Sequence, residues 1–326
     1  MQRRNLLIGA SIACVASARA QKIAPYTVVA RGLMAPEGPK PRPDGSVLVC
    51  EMARGTLSKV LPDHSVHVVA NLGGSPNGVA IGPDGAAYVA NDGGFAFARR
   101  SGLWVALGTS PHYVGGSIQR VDLTSGRFSV LYRSAGEQPL LAPNDLVFDP
   151  WGGFWFTDSG TLINGKGSPG AVYWARADGT EIRKVAGPLP VPNGIALSPD
   201  RRTLYVVLTP KRQVLAYQVT GPGRLATGPG GAPNARVLVN QPGTFLFDSM
   251  SVEADGTLVV ATLVKGCLSL FRPDGSERAE IYLPDRGITN VAFGGSDRRT
   301  AYVTMSSTGQ LAAVEWPRAG LQLAYQ

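Results

Sequence analysis

The sequence is poor in several residue types that common protein chemistries need. Charged residues make up only 17% of the 326 positions, and the chain has three histidines and three cysteines. No run of lysine and arginine is longer than two residues, so a nucleic-acid-binding surface has no basic patch from which to form. The G-x-S-x-G, P-loop and C-x-x-C motifs do not occur, which leaves α/β-hydrolase, nucleotide and dithiol chemistry without their usual local signatures.

The few histidines and cysteines are also poorly placed for catalysis or cross-linking. His64 and His67 fall around one predicted outer hairpin and His112 lies in a loop. Neither a histidine-rich zinc site nor a Ser-His-Asp triad therefore has enough residues. Beyond the first twenty residues, which contain Cys14, only Cys50 and Cys267 remain; they are far apart in the chain, and one distant pair is not a disulfide framework. We predict that both cysteines are buried, reduced and unpaired.

The first twenty residues are typical of an export signal. Arg3 and Arg4 precede a mostly apolar stretch from Leu6 to Val15, and Ala18-Arg19-Ala20 forms an A-x-A cleavage site. The apolar stretch is too short to span a membrane, and the arginine pair resembles a twin-arginine start. We predict a signal peptide over residues 1–20, no membrane span, and a periplasmic or secreted protein. Removal of three arginines would leave a net charge of 28 − 23 = +5.

Glycine and proline are abundant, with 41 and 25 residues, and this composition disfavours long helices. A hydrophobic fraction of 44% is sufficient for a packed core and excludes a disordered chain. Residues 21–326 are therefore predicted to form a single domain built mainly from β-strands.

A sixfold internal repeat determines the predicted fold. Each repeat has a polar residue seven positions before a turn residue, and a β-rich run follows the turn. The six polar residues, which we call the axial ring, are Glu37, Asn77, Asn144, Asn193, Asp248 and Asn290. Five of the six turn residues are aspartates, and further hairpins follow, so each repeat predicts four antiparallel strands. Six repeats predict an all-β, six-bladed β-propeller with four-stranded antiparallel blades.

A propeller must close so that its terminal blades have no open edge. The segment Thr27–Ala30 is predicted to complete the last blade, and Leu321–Tyr325 is the alternative.

The first strand of each blade lines the axis, so the pseudo-symmetry should bring the axial ring to one mouth of the channel. Six oxygen-bearing side chains, two of them acids, predict a site for one divalent cation. Calcium fits best, with zinc, magnesium or manganese as alternatives. Two crowded carboxylates would repel each other, and a divalent ion would relieve that repulsion. Asn77-Gly78 and Asn193-Gly194 could alternatively be ordinary turn residues.

Two insertions interrupt the repeats. Gly93–Gly116 joins the second and third strands of blade two, on the rim of the axial ring, and contains Trp104 and Tyr113. It is predicted to form a lid or one wall of a substrate pocket, or alternatively a loop folded on its own aromatic residues. Gly221–Ala235 joins the third and fourth strands of blade four on the opposite rim and is predicted to be a surface loop without chemistry.

Five motifs together point to a known family. They are Pro36-Glu37-Gly38-Pro39, the run from Asn144 to Trp155 (NDLVFDPWGGFW), the run from Pro192 to Asp200 (PNGIALSPD), Phe247-Asp248-Ser249-Met250, and Ala292-Phe293-Gly294-Gly295. With them, nearly the whole chain after the signal resembles the SMP-30/gluconolactonase family, also called regucalcin-like. The resemblance implies a six-bladed propeller that binds a divalent metal, usually calcium or zinc, and in many members hydrolyses lactones.

The resemblance also implies residue roles. Glu37, Asn144, Asn193 and Asp248 would be the metal ligands, and Asn77 and Asn290 would line the substrate pocket. The sequence departs from the sugar-lactone hydrolases of the family at two places. Ala142 stands where those enzymes have arginine, and Thr157–Pro169 contains no counterpart of their substrate-binding glutamate. An aldonolactone substrate is therefore not expected.

These observations predict a metal-dependent hydrolase of a small lactone or related ester. The ion would polarise the carbonyl, and Asp248, or alternatively Asp145, would take a proton from the attacking water. Ser249, Trp104 and Tyr113 complete the predicted substrate pocket. Two other functions stay open: an exported propeller that binds a ligand or protein and carries a structural calcium, and a strictosidine-synthase-like role on a related scaffold.

Overall fold

The six repeats fold into six antiparallel sheets arranged as blades around a central axis. The computed structural model describes residues 22–163 and 166–325, and the predicted signal peptide over residues 1–20 lies outside them. Each blade begins with a strand at the axis and adds its other strands outward. The prediction of an all-β, six-bladed β-propeller is confirmed.

Every blade has four main strands, which follow one another from the axis outward. Blade one comprises Pro36–Pro41, Val47–Glu51, Thr56–Val60 and Val66–Asn71. Blade two comprises Pro76–Ile81, Ala87–Asn91, Ser117–Val121 and Phe128–Tyr132. Blade three comprises Pro143–Phe148, Gly153–Asp158, Gly170–Arg176 and Ile182–Leu189. Blade four comprises Pro192–Leu197, Thr203–Leu208, Gln213–Gly221 and Ala235–Asn240. Blade five comprises Leu246–Val252, Leu258–Leu263, Cys267–Phe271 and Glu277–Tyr282. Blade six comprises Ile288–Gly294, Thr300–Met305, Gln310–Glu315 and Thr27–Arg31.

The aspartates of the repeat organise the turns between the first two strands. In each case one carboxylate oxygen accepts a hydrogen bond from the backbone N–H two residues later, which fixes a tight turn. The bonds include Ser46 N to Asp44 at 3.0 Å, Ala86 N to Asp84 at 3.2 Å and Thr257 N to Asp255 at 2.9 Å. This local chemistry explains why aspartate recurs at the turn position.

Blades pack face to face through their inner strands, which bury apolar side chains on both sides. Between blades two and three, the ring centroid of Tyr88 is 5.1 Å from that of Phe148 and 5.8 Å from that of Phe154. Such aromatic contacts stabilise the interface beyond the area they bury. Cys50 and Cys267 belong to this buried layer and are both free, so the prediction of unpaired cysteines is confirmed.

The ring of blades closes through the N-terminal strand. Thr27–Arg31 pairs antiparallel with Gln310–Glu315 and is the outermost strand of blade six, as predicted. The alternative assignment of Leu321–Tyr325 to this position is wrong. That segment forms no strand; Leu321 N instead donates to Val252 O at 2.9 Å, and the segment lies across the end of the axis opposite the axial ring.

Smaller elements extend from the blades. They are the hairpins Phe95–Arg100 with Leu103–Thr109, Thr161–Ile163 with Lys166–Ser168 and Ser134–Ala135 with Gln138–Pro139, the short strand Arg224–Leu225, and the 3-10 turns Thr209–Lys211 and Pro229–Gly231. Within residues 22–163 and 166–325, no helix has the length and apolar character needed to cross a membrane.

Candidate functional site

The axial ring lies at irregularities that recur in all six inner strands. In every blade the pairing between the first and second strands shifts at or directly beside the ring residue. A bulge of this kind bends the strand and changes the direction of the side chain. The six ring residues are all at least nine-tenths buried, and the bulges direct their side chains toward the axis.

In three of the six blades a glycine follows the ring residue and allows neighbouring inner strands to approach closely. A Cβ on Gly78 would lie 2.7 Å from Asn144 O, and one on Gly194 would lie 2.7 Å from Met250 N. Asn77-Gly78 and Asn193-Gly194 are both inside strands, so their interpretation as ordinary turn residues is wrong. Glycine is needed at these positions for backbone contact between blades.

Buried polar side chains at the ends of second strands hold the segments that lead into the ring. Their oxygens accept backbone N–H groups just before the inner strand of the same blade. The bonds are Met34 N to Glu51 at 2.9 Å, Ser75 N to Asn91 at 3.0 Å, and Leu141 N to Asp158 at 2.7 Å. Sequence reasoning missed these anchors. The signal that could have identified them was the polar residue that ends the second strand of blades one, two and three.

The two acids of the ring repel each other. Burial raises the pKa of Glu37 to about 7, against the opposing effect of hydrogen bonds from Asn290 and from the Gly38 N–H. Burial first, and then repulsion from Glu37, raises the pKa of Asp248 well above its ordinary value. Each of the two buried carboxylates disfavours ionisation of the other, so a positive charge placed near them would be stabilising.

The amides of the ring divide into satisfied and unsatisfied groups. Asn290 donates to Glu37 Oε2 at 2.9 Å, and Asn193 Oδ1 accepts from Ser249 at 3.4 Å. Asn77 Oδ1 and Asn144 Oδ1 are buried and have no hydrogen-bond partner among the described residues. Such orphaned oxygens are uncommon in native structures and are well suited to coordinate a cation. In the described part of the chain, no three histidine, cysteine, aspartate or glutamate side chains gather as a metal site; the ring offers two carboxylates and four amides.

A wide cavity, which we call the mouth cavity, opens above the ring and has a volume of about 930 Å³. Glu37, Asn77, Asn144, Asn193 and Asp248 lie at its floor. Its walls include the Phe95–Arg100 and Leu103–Thr109 hairpin with Trp104 and, just after the hairpin, Tyr113. Trp104 N donates to Ser307 O of blade six at 2.8 Å, so the insertion reaches across the mouth as a wall.

A second cavity, called the axial cavity, lies on the other side of the ring and has a volume of about 60 Å³. Lys40, Asp145 and Asn290 line it, and Leu321 and Leu323 lie at its end. Burial lowers the pKa of Lys40 to about 8 and raises the pKa of Asp145 to about 6, and the two charges partly offset these effects.

The predicted site residues therefore separate into groups. Trp104, Tyr113 and Asn77 line the mouth cavity, whereas Asp145 and Asn290 line the axial cavity. Ser249 is fully buried beside Asn193 and lines neither cavity. Ala142 lines the mouth cavity, as do Ser159, Thr161 and Ser168 from the segment without a glutamate. His64, His67 and His112 are all exposed away from the ring.

Comparison with known proteins places this architecture. Residues 35–307 match the SMP-30/Gluconolactonase/LRE-like region. The chain belongs to this family. The resemblance based on the five motifs is thus confirmed, and the family's propeller is the fold described above.

Two relatives illustrate the range of the family. The chain is 35% identical to 6-deoxy-6-sulfogluconolactonase of Pseudomonas putida over 188 residues, which are 56% of this chain and 60% of that protein, so less than two thirds of the relative is covered. It is 30% identical to lactonase drp35 of Staphylococcus saprophyticus over 245 residues, 74% of this chain and 68% of that protein.

Solved structures share the fold at lower identity. A gluconolactonase from Xanthomonas campestris superposes with a TM-score of 0.71 at 22% identity, covering 89% of each chain. Regucalcin from Agrobacterium tumefaciens, described as a calcium-binding protein, superposes with a TM-score of 0.70 at 19% identity, covering 93% of this chain and all (100%) of that one.

Proposed function

We propose that this protein is a metal-dependent hydrolase of lactones or related esters. The observation that carries the proposal is the floor of the mouth cavity. There, two mutually repelling carboxylates, Glu37 and Asp248, lie in one ring with the orphaned oxygens of Asn77 and Asn144. The names of the two lactonase relatives support the same reaction class.

The donor set fits a hard divalent cation. All candidate ligands are oxygens, which calcium prefers, and thiolate and imidazole groups do not contribute. Glu37, Asn144, Asn193 and Asp248 would hold the ion, most favourably calcium, with zinc, magnesium or manganese as alternatives. When bound, the ion would act as a Lewis acid toward a lactone carbonyl.

The charge along the axis supports a single ion. Glu37, Asp145 and Asp248 carry −3 when ionised, and Lys40 contributes +1, so the group has a net charge of −2. One divalent cation would neutralise it, and neutral buried clusters avoid most of the desolvation cost of isolated charges.

The chain's own residues supply the remaining functions. Asp248 lies at the cavity floor and would accept the proton of the attacking water. Asp145, the alternative base, faces the axial cavity, so the proposal assigns this role to Asp248. Asn290 holds the Glu37 carboxylate through its 2.9 Å hydrogen bond and so fixes its orientation. The hairpin over the mouth would exclude bulk water from the bound lactone.

The test is hydrolysis of a lactone panel by purified protein with and without EDTA. We expect acid release that stops on chelation and returns when calcium or zinc is added back. Loss of thermal stability on chelation, with no hydrolysis of any lactone under either condition, would instead favour the alternative of a ligand-binding propeller with a structural calcium.

A further inference from the structure

We propose that the mouth cavity selects uncharged lactones that carry an alkyl or aryl substituent, in preference to polyhydroxylated or anionic sugar lactones. This inference rests on the proposed hydrolase function and specifies its substrate class. The proposed substrate class differs from the sulfonated sugar lactone that the name of the Pseudomonas relative indicates.

The walls of the cavity above the ring are largely apolar. Phe95, Phe97, Trp104 and Leu107 come from the hairpin of blade two, and Val191 and Leu263 come from the opposite blades. Leu107 is 51% exposed and Val191 is 42% exposed, so these walls offer apolar surface that is not used for packing within the chain. Apolar surface around a concave site favours ligands that cover it.

The cavity also lacks a partner for a negatively charged substrate. No lysine, arginine or histidine is among the described side chains that line it, whereas the acids Glu37, Asp92 and Asp248 are. Arg99 lies close by, but its guanidinium is stacked on Trp104 at 5.2 Å from the ring centroid and donates to Gly102 O. A sulfonate or carboxylate would therefore enter a site without a free cation among these residues, which is unfavourable.

Two hydroxyl groups on the walls already have partners. Tyr113 OH donates to Leu141 O at 2.6 Å, and Ser159 Oγ donates to Pro192 O at 2.7 Å. A polyol would lose water at each hydroxyl and recover few hydrogen bonds, whereas an alkyl chain would gain from leaving water.

Val191 shows that the apolar wall is maintained against a backbone preference. It has a φ of +48°, although β-branched residues rarely adopt positive φ, and Thr209 N donates to its carbonyl at 3.2 Å. Ala35 occupies the matching place before Pro36 in blade one with a φ of +52°, so two of the blades share this conformation. Glycine would satisfy the backbone better, and the valine side chain faces the cavity instead.

The experiment compares three lactones that share the six-membered ring, using calcium-loaded protein and titration of released acid. They are δ-valerolactone, δ-decalactone with an added pentyl chain, and glucono-1,5-lactone with added hydroxyl groups. We expect kcat/KM for δ-decalactone to exceed that for δ-valerolactone by about tenfold or more, since apolar pockets discriminate by about this factor for a single methylene. Glucono-1,5-lactone should be the poorest of the three.

Variants of the wall sharpen the test. Val191→Gly should lower the ratio of kcat/KM for δ-decalactone over δ-valerolactone by about threefold or more, with no fall in melting temperature because strain is relieved. Leu103→Ala is the matched control, since Leu103 is 43% exposed, close to the 42% of Val191, but lies at the tip of the blade-two hairpin and does not line the cavity. It should leave the ratio unchanged.

Two outcomes separate this inference from the function beneath it. Chelator-sensitive turnover that is faster with glucono-1,5-lactone than with δ-decalactone would overturn the selectivity and leave the hydrolase intact. Failure of calcium-loaded and zinc-loaded protein to hydrolyse any of the three lactones would reject the hydrolase, and the selectivity with it.

Discussion

The two ends of the propeller axis are built on the same six inner strands and differ in almost every other respect. At one end the axial ring forms the floor of the mouth cavity, with a volume of about 930 Å³; at the other the strands close around the axial cavity, of about 60 Å³. The difference comes from the connections. Hairpins inserted after second strands enlarge the mouth, whereas tight aspartate turns and the C-terminal segment close the far end. The same six inner strands thus form both ends, and the loops of one rim create the cavity on which the proposed function depends.

The largest expected effect at the mouth follows from Asp248→Asn. Loss of the proposed base should reduce lactone hydrolysis by about 10²–10⁴-fold. In EDTA, however, the variant should melt at or above the wild-type temperature, because an amide removes the repulsion with Glu37. Calcium should reverse that order. Titration of acid release and calorimetry with and without EDTA measure the two effects.

The matched control for this variant is Asp255→Asn, at the turn of the same blade on the far rim. It should retain full hydrolysis, with only a small loss of stability from its bonds to Thr257 and Arg278. Wild-type turnover by the Asp248 variant would contradict the proposal that the mouth end of the axis carries the catalytic site.

The variant Lys40→Met tests whether the axial cavity holds a buried ammonium group. Burial lowers the pKa of Lys40 from 10.5 to about 8, so between these values the folded protein binds fewer protons than the unfolded chain. Stability of the wild type relative to the variant should therefore rise with pH across this window, by at most about 3 kcal/mol. Urea unfolding of both proteins at pH 7.5 and pH 10 measures the change. A difference that does not vary with pH would contradict a buried ammonium on the axis.

Close contact of the inner strands at the ring predicts a smaller effect for Gly194→Ala. The added methyl group would lie 2.7 Å from Met250 N and 2.9 Å from Asp248 O, so we expect a loss of about 1–3 kcal/mol. Calcium affinity, measured by titration calorimetry, should fall as well because Asn193 and Asp248 are forced apart. Gly221→Ala, on the far rim with no atom within 4 Å of the new Cβ, should change neither property. Equal behaviour of the two variants would refute the close packing of the ring.

The smallest expected effect is at the far end. Leu323 is half-buried and lines the axial cavity, so Leu323→Ala should cost about 1 kcal/mol or less in unfolding free energy. Calcium affinity and hydrolysis should stay at wild-type values because the side chain lies on the other side of the ring. Altered hydrolysis in a folded variant would show that the two cavities act as one.

Much of the fold and of the ring was predictable because both depend on local chemistry repeated six times. Aspartate turns mark the same point in five of the six blades, and the seven-residue offset then places the ring residues at equivalent positions. Closure by Thr27–Arg31 was also predictable, since a short segment rich in β-branched residues was available near the start of the chain. The roles of the ring residues in metal binding and catalysis stay predictions.

Other features depend on contacts that no local pattern reveals. Asp145 and Asn144 are adjacent, yet only Asn144 lines the mouth cavity, because the bulge between Pro143 and Leu146 changes the side-chain direction. The sequence carries no marker for the position of such a bulge. Leu321 and Leu323 alternate as they would in a strand, and only the free end of the axis explains why they lie there instead.

The pairing of the N-terminal strand Thr27–Arg31 with the last blade has a consequence for how the molecule folds. Thr27 lies opposite Ala313, 313 − 27 = 286 residues later, so the last blade can be completed only after nearly all of the chain has been synthesised. Joining such distant segments has an entropic cost of about 5 kcal/mol. Until then Gln310–Glu315 presents an open edge, which the first strand of another copy fits equally well. Dilution during refolding should therefore favour self-closure, whereas crowded conditions should favour strand-exchanged dimers.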